Sequence, residues 1–160
     1  MKSMKPLTAD EAFSRLAAAC ARRELAPADV RQKLLRLGLT AGAAQDVLNR
    51  LTGEGYVDER RYARAFVNDR TRYDRWGRLK TRQALAAHGI PRHVADEALA
   101  DIDEKDYEAG LRALLATKER SLRTEDEKER RLKLMRFAAG RGFEPAIVYR
   151  CLGTDDSGDF

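Results

Sequence analysis

Aromatic residues make up only 7% of this 160-residue chain, cysteine occurs twice and proline four times. β-Branched residues are few, and no stretch alternates apolar with polar side chains over the length of a strand, which argues against a sheet. Cys20 and Cys151 stand far apart without metal-ligand spacing, so both read as core thiols suited to a reducing compartment. Long hydrophobic runs are missing too: the longest, residues 16–21, is far short of a membrane span, and residues 1–6 have no apolar signal core. The expectation is a soluble cytoplasmic protein with no membrane partner. Catalytic signatures are also lacking. There is no phosphate-binding glycine loop, no HExxH, no nucleophile elbow and no cysteine near a histidine. His88 and His93 lie across a turn containing Gly89 and Pro91 and read as structural, so neither enzymatic activity nor a metal or cofactor is expected.

What the chain does have is helix-forming residues and charge. Ala, Leu, Arg, Glu and Lys dominate, and charged residues reach 36%, against roughly 25% in an average globular chain. A unit of helix, glycine, apolar residue and helix recurs three times, around Gly38-Leu39, Gly89-Ile90 and Gly142-Phe143, with the glycines 51 and 53 residues apart. At the sixth position from each glycine stand Ala44, Ala95 and Val148, at the ninth Val47, Ala98 and Cys151, and at the tenth Leu48, Leu99 and Leu152, one small or apolar helix face. A glycine followed by an apolar residue is a helix stop, because glycine enters the left-handed region without a Cβ clash and the apolar residue folds back on the last turn. Thr40 reads as the cap of the next helix, and Pro91 as part of the next first turn.

Each stop is preceded by two helices. The first long helix is expected from Thr8, with Glu11 completing a capping box, to about Arg23, burying Phe13, Leu16 and Cys20. The second runs from Asp58 to about Arg75, and the third from about Glu104 to Arg120 with Tyr107, Leu111, Leu114 and Leu115 inward. Pro27 and Thr124 read as starts of the middle helices. The predicted fold is therefore all-α: three tandem three-helix repeats (8–54, 55–102, 103–152) in an elongated, curved array, followed by an acidic tail at 153–160.

Positive charge is concentrated in the middle repeat. Between Arg60 and Arg82 stand Arg60, Arg61, Arg64, Arg70, Arg72, Arg75, Arg78, Lys80 and Arg82 against only Asp69 and Asp74, a net +7 in a chain whose total is +5. On a helical wheel Arg61, Arg64, Asn68, Arg72 and Arg75 follow at three- or four-residue steps, with Tyr62, Phe66 and Tyr73 on the core-facing side. Trp76 reads as core, and Gly77 as the helix stop that turns Arg78, Lys80 and Arg82 onto the start of the next helix. A helix N-terminus favours anions, so this corner is the leading phosphate candidate. These nine residues are the expected partner- or nucleic-acid-binding set. The block at residues 125–133 has nearly balanced charge and reads as solvated surface, with Arg123, Arg130, Arg131 and Arg136 a weaker extension of the basic face.

Residues 55–67, GYVDERRYARAFV, with Gly77 and the helix ending at 85–90, resemble the RecX regulators of the RecA recombinase, and so do Arg136-Phe137 and Arg141-Gly142-Phe143. The likeness spans about residues 8–152. Its pattern is departed from at Tyr62, Arg78 and Gln83, where phenylalanine, proline and glutamate are usual. The resemblance implies a regulator, active in recombination, DNA repair and the SOS response, that binds RecA filaments on single-stranded DNA; a monomer is expected. It would touch that DNA directly or within the filament, and limit ATP hydrolysis and strand exchange. The alternative is a direct DNA-binding protein of helix-turn-helix type through residues 30–51, although the second helix of that segment has Arg50 as its one basic residue.

Overall fold

Thr8 begins the first helix by geometry as well as by type: its side-chain oxygen accepts the Glu11 amide at 3.2 Å, while its hydroxyl donates to the Glu11 carboxylate at 3.0 Å. A computed structural model of the chain describes Lys5 and residues 7–153, and among these it contains nine helices and no strand. They are α1 (Ala9–Arg22), α2 (Pro27–Arg36), α3 (Ala41–Gly53), α4 (Glu59–Arg72), α5 (Arg78–Ala87), α6 (Arg92–Ala100), α7 (Glu104–Ser121), α8 (Glu127–Gly140) and α9 (Pro145–Leu152). None of the described helices is long and apolar enough to cross a membrane. The expectations for residues 1–4, Pro6 and the acidic tail beyond Gly153 fall outside the described residues.

The three helix stops share one geometry. Gly38, Gly89 and Gly142 have φ of 97°, 77° and 91°, and the amides of Leu39, Ile90 and Phe143 each donate to the carbonyl five residues back. These bonds satisfy carbonyls that a bare helix end leaves orphaned. Thr40 caps α3 by accepting the Ala43 amide at 3.2 Å, while Pro91 stands just before α6 rather than within its first turn. Thr124 is not the cap of α8. Asp126 takes that position, accepting the Lys128 amide at 2.9 Å, because the chain from Leu122 to Asp126 is non-helical and Asp126 is the last short polar side chain before α8.

By packing, the chain divides into two compact units: residues up to Ala65 with Leu85–Ala95, and Phe66–Ala84 with the residues from Asp96 onward. Helices α4, α5 and α6, the middle trio, each contribute to both. In the first unit Leu16, Val30, Leu34, Ala44, Val47, Leu48, Leu51 and Val57 form one core, with Phe13 and Cys20 packed against it. In the second, Tyr107, Leu111, Leu115, Leu134, Ala138, Phe143, Ile147 and Val148 form another, edged by Leu114 and Cys151. Each fully buried leucine contributes about 1.5–3 kcal/mol relative to exposure.

Candidate functional site

The segment that carries the excess charge starts in the first unit. Asp58 accepts the Arg60 and Arg61 amides at 3.0 and 3.1 Å and thereby starts α4. The hydrogen bond from the Arg61 amide leads the effects that hold the Asp58 carboxyl below its ordinary range, against a smaller opposing effect of burial. Arg61 itself is a brace: its Nε donates to Glu24 at 2.6 Å and its Nη2 to the Gly55 and Tyr56 carbonyls at 3.0 and 3.2 Å. The Glu24 bond raises the Arg61 pKa above its ordinary value. Arg60 and Arg64 are exposed. Arg50, the basic residue of the candidate recognition helix α3, is tied to Asp10 at 2.9 Å and lies over the Phe13 ring at 3.8 Å.

In the second unit the segment departs from the wheel. Helix α4 ends at Arg72, and the chain turns at Arg75, the one non-glycine residue with positive φ (55°) among the described residues. Two expectations change as a result. Tyr73, placed on the core side by a helix continued to Arg75, is instead 78% exposed. Trp76 is half-buried rather than core, with Lys80 over its ring at 4.4 Å, Arg70 at 5.6 Å and the Phe66 edge at 6.4 Å. Arg70 also pairs with Asp74 across the last turn.

Gly77 does not stop a helix but permits a backbone contact. A Cβ on it would fall 2.2 Å from the Gly142 carbonyl carbon and oxygen, while the Gly77 and Leu79 amides donate to the Arg141 and Gly142 carbonyls at 2.8 and 2.9 Å. The Arg78 amide donates to Tyr107 Oη at 3.0 Å. The start of α5, expected to receive a phosphate, is therefore closed by the chain itself: its first donors already have acceptors. A sequence wheel cannot show this, because the acceptors come from the α8–α9 turn and α7, residues remote along the chain.

Arg78 belongs to the same closure. Its side chain is 17% exposed, stacks on the Tyr107 ring at 4.0 Å, donates to Glu144 at 2.8 Å and pairs with Glu104. Burial opposes both charges. Glu144 nevertheless stays below the ordinary carboxylate range because Tyr107 and Arg78 donate to it, and the Glu144 bond raises Arg78. Burial, then the bond to Glu144, pushes the Tyr107 phenol far up. Arg82 pairs with Asp96 at 3.0 Å. Tyr107 and Glu144 were missed as partners of the basic segment: Tyr107 read as core, and the one signal for Glu144 was its place before the apolar start of α9.

Of the nine predicted residues, then, Arg61, Arg70, Arg78 and Arg82 are engaged with carboxylates, Lys80 lies on Trp76, and Arg60, Arg64, Arg72 and Arg75 are exposed. Arg75 has a special support. A Cβ on buried Gly110 of α7 would meet Arg75 Nη1 at 2.6 Å, Cζ at 3.5 Å and Cδ at 3.8 Å, so the side chain lies across the helix at the one residue without a side chain. A left-handed non-glycine residue costs about 1–2 kcal/mol. Glycine inside a helix costs up to about 1 kcal/mol more than alanine. Both costs occur at one contact. In the mixed block, Arg130 donates to the Thr124 carbonyl at 2.6 Å, Lys133 pairs with Glu129 at 3.0 Å, and Arg123 and Arg136 are exposed.

Comparison with known proteins matches residues 58–99 to the second three-helix domain of RecX and residues 106–152 to the third. The regulatory protein RecX of Thermus thermophilus is 38% identical over 82% of this chain and 87% of its own length. That of Chlorobium limicola is 32% identical over 72% and 71%. In fold, the crystal structure of RecX from Lactobacillus salivarius superposes with a TM-score of 0.83 at 15% identity, covering 91% of this chain and 94% of that one. A second crystal structure of regulatory protein RecX gives 0.84 at 21% identity, over 91% and 73%. Two family domains match more than half of the chain and relatives are 32–38% identical over most of its length, and this chain belongs to the RecX family of regulatory proteins.

Proposed function

We propose that the chain is a monomeric, non-enzymatic cytoplasmic regulator that binds RecA filaments on single-stranded DNA and limits recombinase ATP hydrolysis and strand exchange in DNA repair and the SOS response. Family membership is the observation that carries this reading. Charge supports it: Arg64, Arg72 and Arg75 stay exposed in a segment where Arg61, Arg70, Arg78 and Arg82 are paired with carboxylates. Exposed cations steer association with a negatively charged assembly and set its salt dependence.

The test is the DNA-dependent ATPase rate of RecA with substoichiometric additions of this protein. Inhibition at a small molar ratio is expected, and Arg64→Glu with Arg72→Glu should relieve most of it while helicity stays unchanged. Arg61 is left intact because it braces Glu24 and the residue 55–56 loop. No inhibition by the unaltered protein at any ratio would refute the reading, and full inhibition by the double variant would place the contact elsewhere.

A further inference from the structure

Two features of the α4–α5 connection stand apart from the buried core of the second unit. The Tyr73 ring is 78% exposed, so its apolar face stands in water and folding draws nothing from it. Arg75 is exposed and has no carboxylate partner among the described residues, yet its guanidinium is held across Gly110 by a left-handed backbone and a helix position lacking a side chain. An observed backbone outlier of this kind is a reason to look for function. Arg72, also exposed, precedes them. Tyr73 and Arg75 leave the chain two residues apart, within about 7 Å at full extension, so one ligand can meet both. Asp74 between them is engaged with Arg70.

We infer that Arg72, Tyr73 and Arg75 form a contact point for single-stranded nucleic acid: the Arg75 guanidinium takes a backbone phosphate, Tyr73 stacks on an unpaired base and Arg72 adds a second cation. An exposed ring beside cations is the combination that binds single strands without regard to sequence, because every base has a π-face. Tyrosine and arginine also anchor protein surfaces, and the measurement that separates the two is binding of a bare oligonucleotide. Duplex bases are already stacked on one another. This deepens the reading above, on which it rests for its biological setting, by naming where DNA is touched.

The probe is a fluorescently labelled oligothymidylate, titrated with the full chain by anisotropy across a salt series, with its duplex as control. Tyr73→Ala should weaken single-strand binding by about five- to a hundredfold, whereas Tyr73→Phe keeps the ring and should retain it. Gly110→Ala places a methyl where the guanidinium sits. The displaced atoms are the end of a flexible side chain, so the fold should hold its melting temperature or gain slightly. Its binding should weaken several-fold, with the slope of log affinity against log salt shallower by about 0.7, the contribution of one single-strand phosphate. Duplex binding should be the same for Tyr73→Ala and the unaltered protein.

Several outcomes overturn the inference: no measurable oligothymidylate binding by the unaltered protein, full affinity in Tyr73→Ala, or an unchanged slope in Gly110→Ala. Equal losses on single strand and duplex would overturn stacking. Variants that bind the oligonucleotide normally but lose RecA filaments would assign the patch to a protein partner instead. The RecA reading fails separately: a protein that leaves the RecA ATPase unaltered, yet loses oligothymidylate on Tyr73→Ala, would refute it and leave this contact standing.

Discussion

Arg75 and Arg78 lie three residues apart, carry the same charge and end in opposite environments. Arg78 sits between two carboxylates and an aromatic ring, mostly out of solvent. Arg75 is turned outward by a left-handed backbone and rests on a bare stretch of α7. The difference lies in what each meets from distant parts of the chain: Glu104 and Glu144 for one, Gly110 for the other. Density of positive charge therefore does not measure the charge available to a partner. Arg61, Arg70, Arg78 and Arg82 neutralise acids of their own protein, and Lys80 lies on Trp76.

The sharpest way to break this contrast is to open the closed side. Gly77→Ala should cost about 3 kcal/mol or more, because its Cβ meets backbone rather than a movable side chain, and overpacking of that kind is not relieved by rotamers. Urea unfolding checks it. Arg78→Ala should cost about 2 kcal/mol, reduced from the 3–5 of a fully buried pair because Glu104 faces water. A Glu144→Gln change made alongside should recover part of that loss in a double-mutant cycle.

A pH series gives a smaller effect. Glu144 has a folded pKa below its ordinary 4.5, so the unfolded chain binds its proton first as acid is added. Its contribution is complete above about that pH and is lost as pH falls through the folded value. Glu144→Gln should flatten the acid limb of thermal stability between those points. Smallest of all, Arg64→Glu and Arg72→Glu should each move stability by no more than about 0.5 kcal/mol, as expected of exposed surface positions. A loss comparable to that of Arg78→Ala would erase the distinction between the two kinds of arginine.

Much of the fold was legible in the sequence because its signals are local. The Thr8 and Thr40 caps, the glycine stops and the stripe at Ala44, Val47 and Leu48 each depend on residues within about two helical turns. Misreadings arose where a local signal competed with a remote one. Gly77 looked like a stop, whereas its need is an approaching backbone at Gly142. Tyr73 looked inward because nothing local announces that α4 ends at Arg72 and that the turn is made by an arginine at φ 55°. The start of α5 looked open to anions, and its donors are taken by Arg141, Tyr107 and Gly142.

Helix formers, caps and stops along the chain thus dictated the nine helical segments among the described residues and gathered the positive charge into α4, α5 and the link between them, since each of those properties is a matter of neighbours in sequence. Which arginines remain exposed depended on the folded packing. Pairing and burial bring together residues tens of positions apart, and a side chain's charge carries no record of the carboxylate, ring or glycine it will meet.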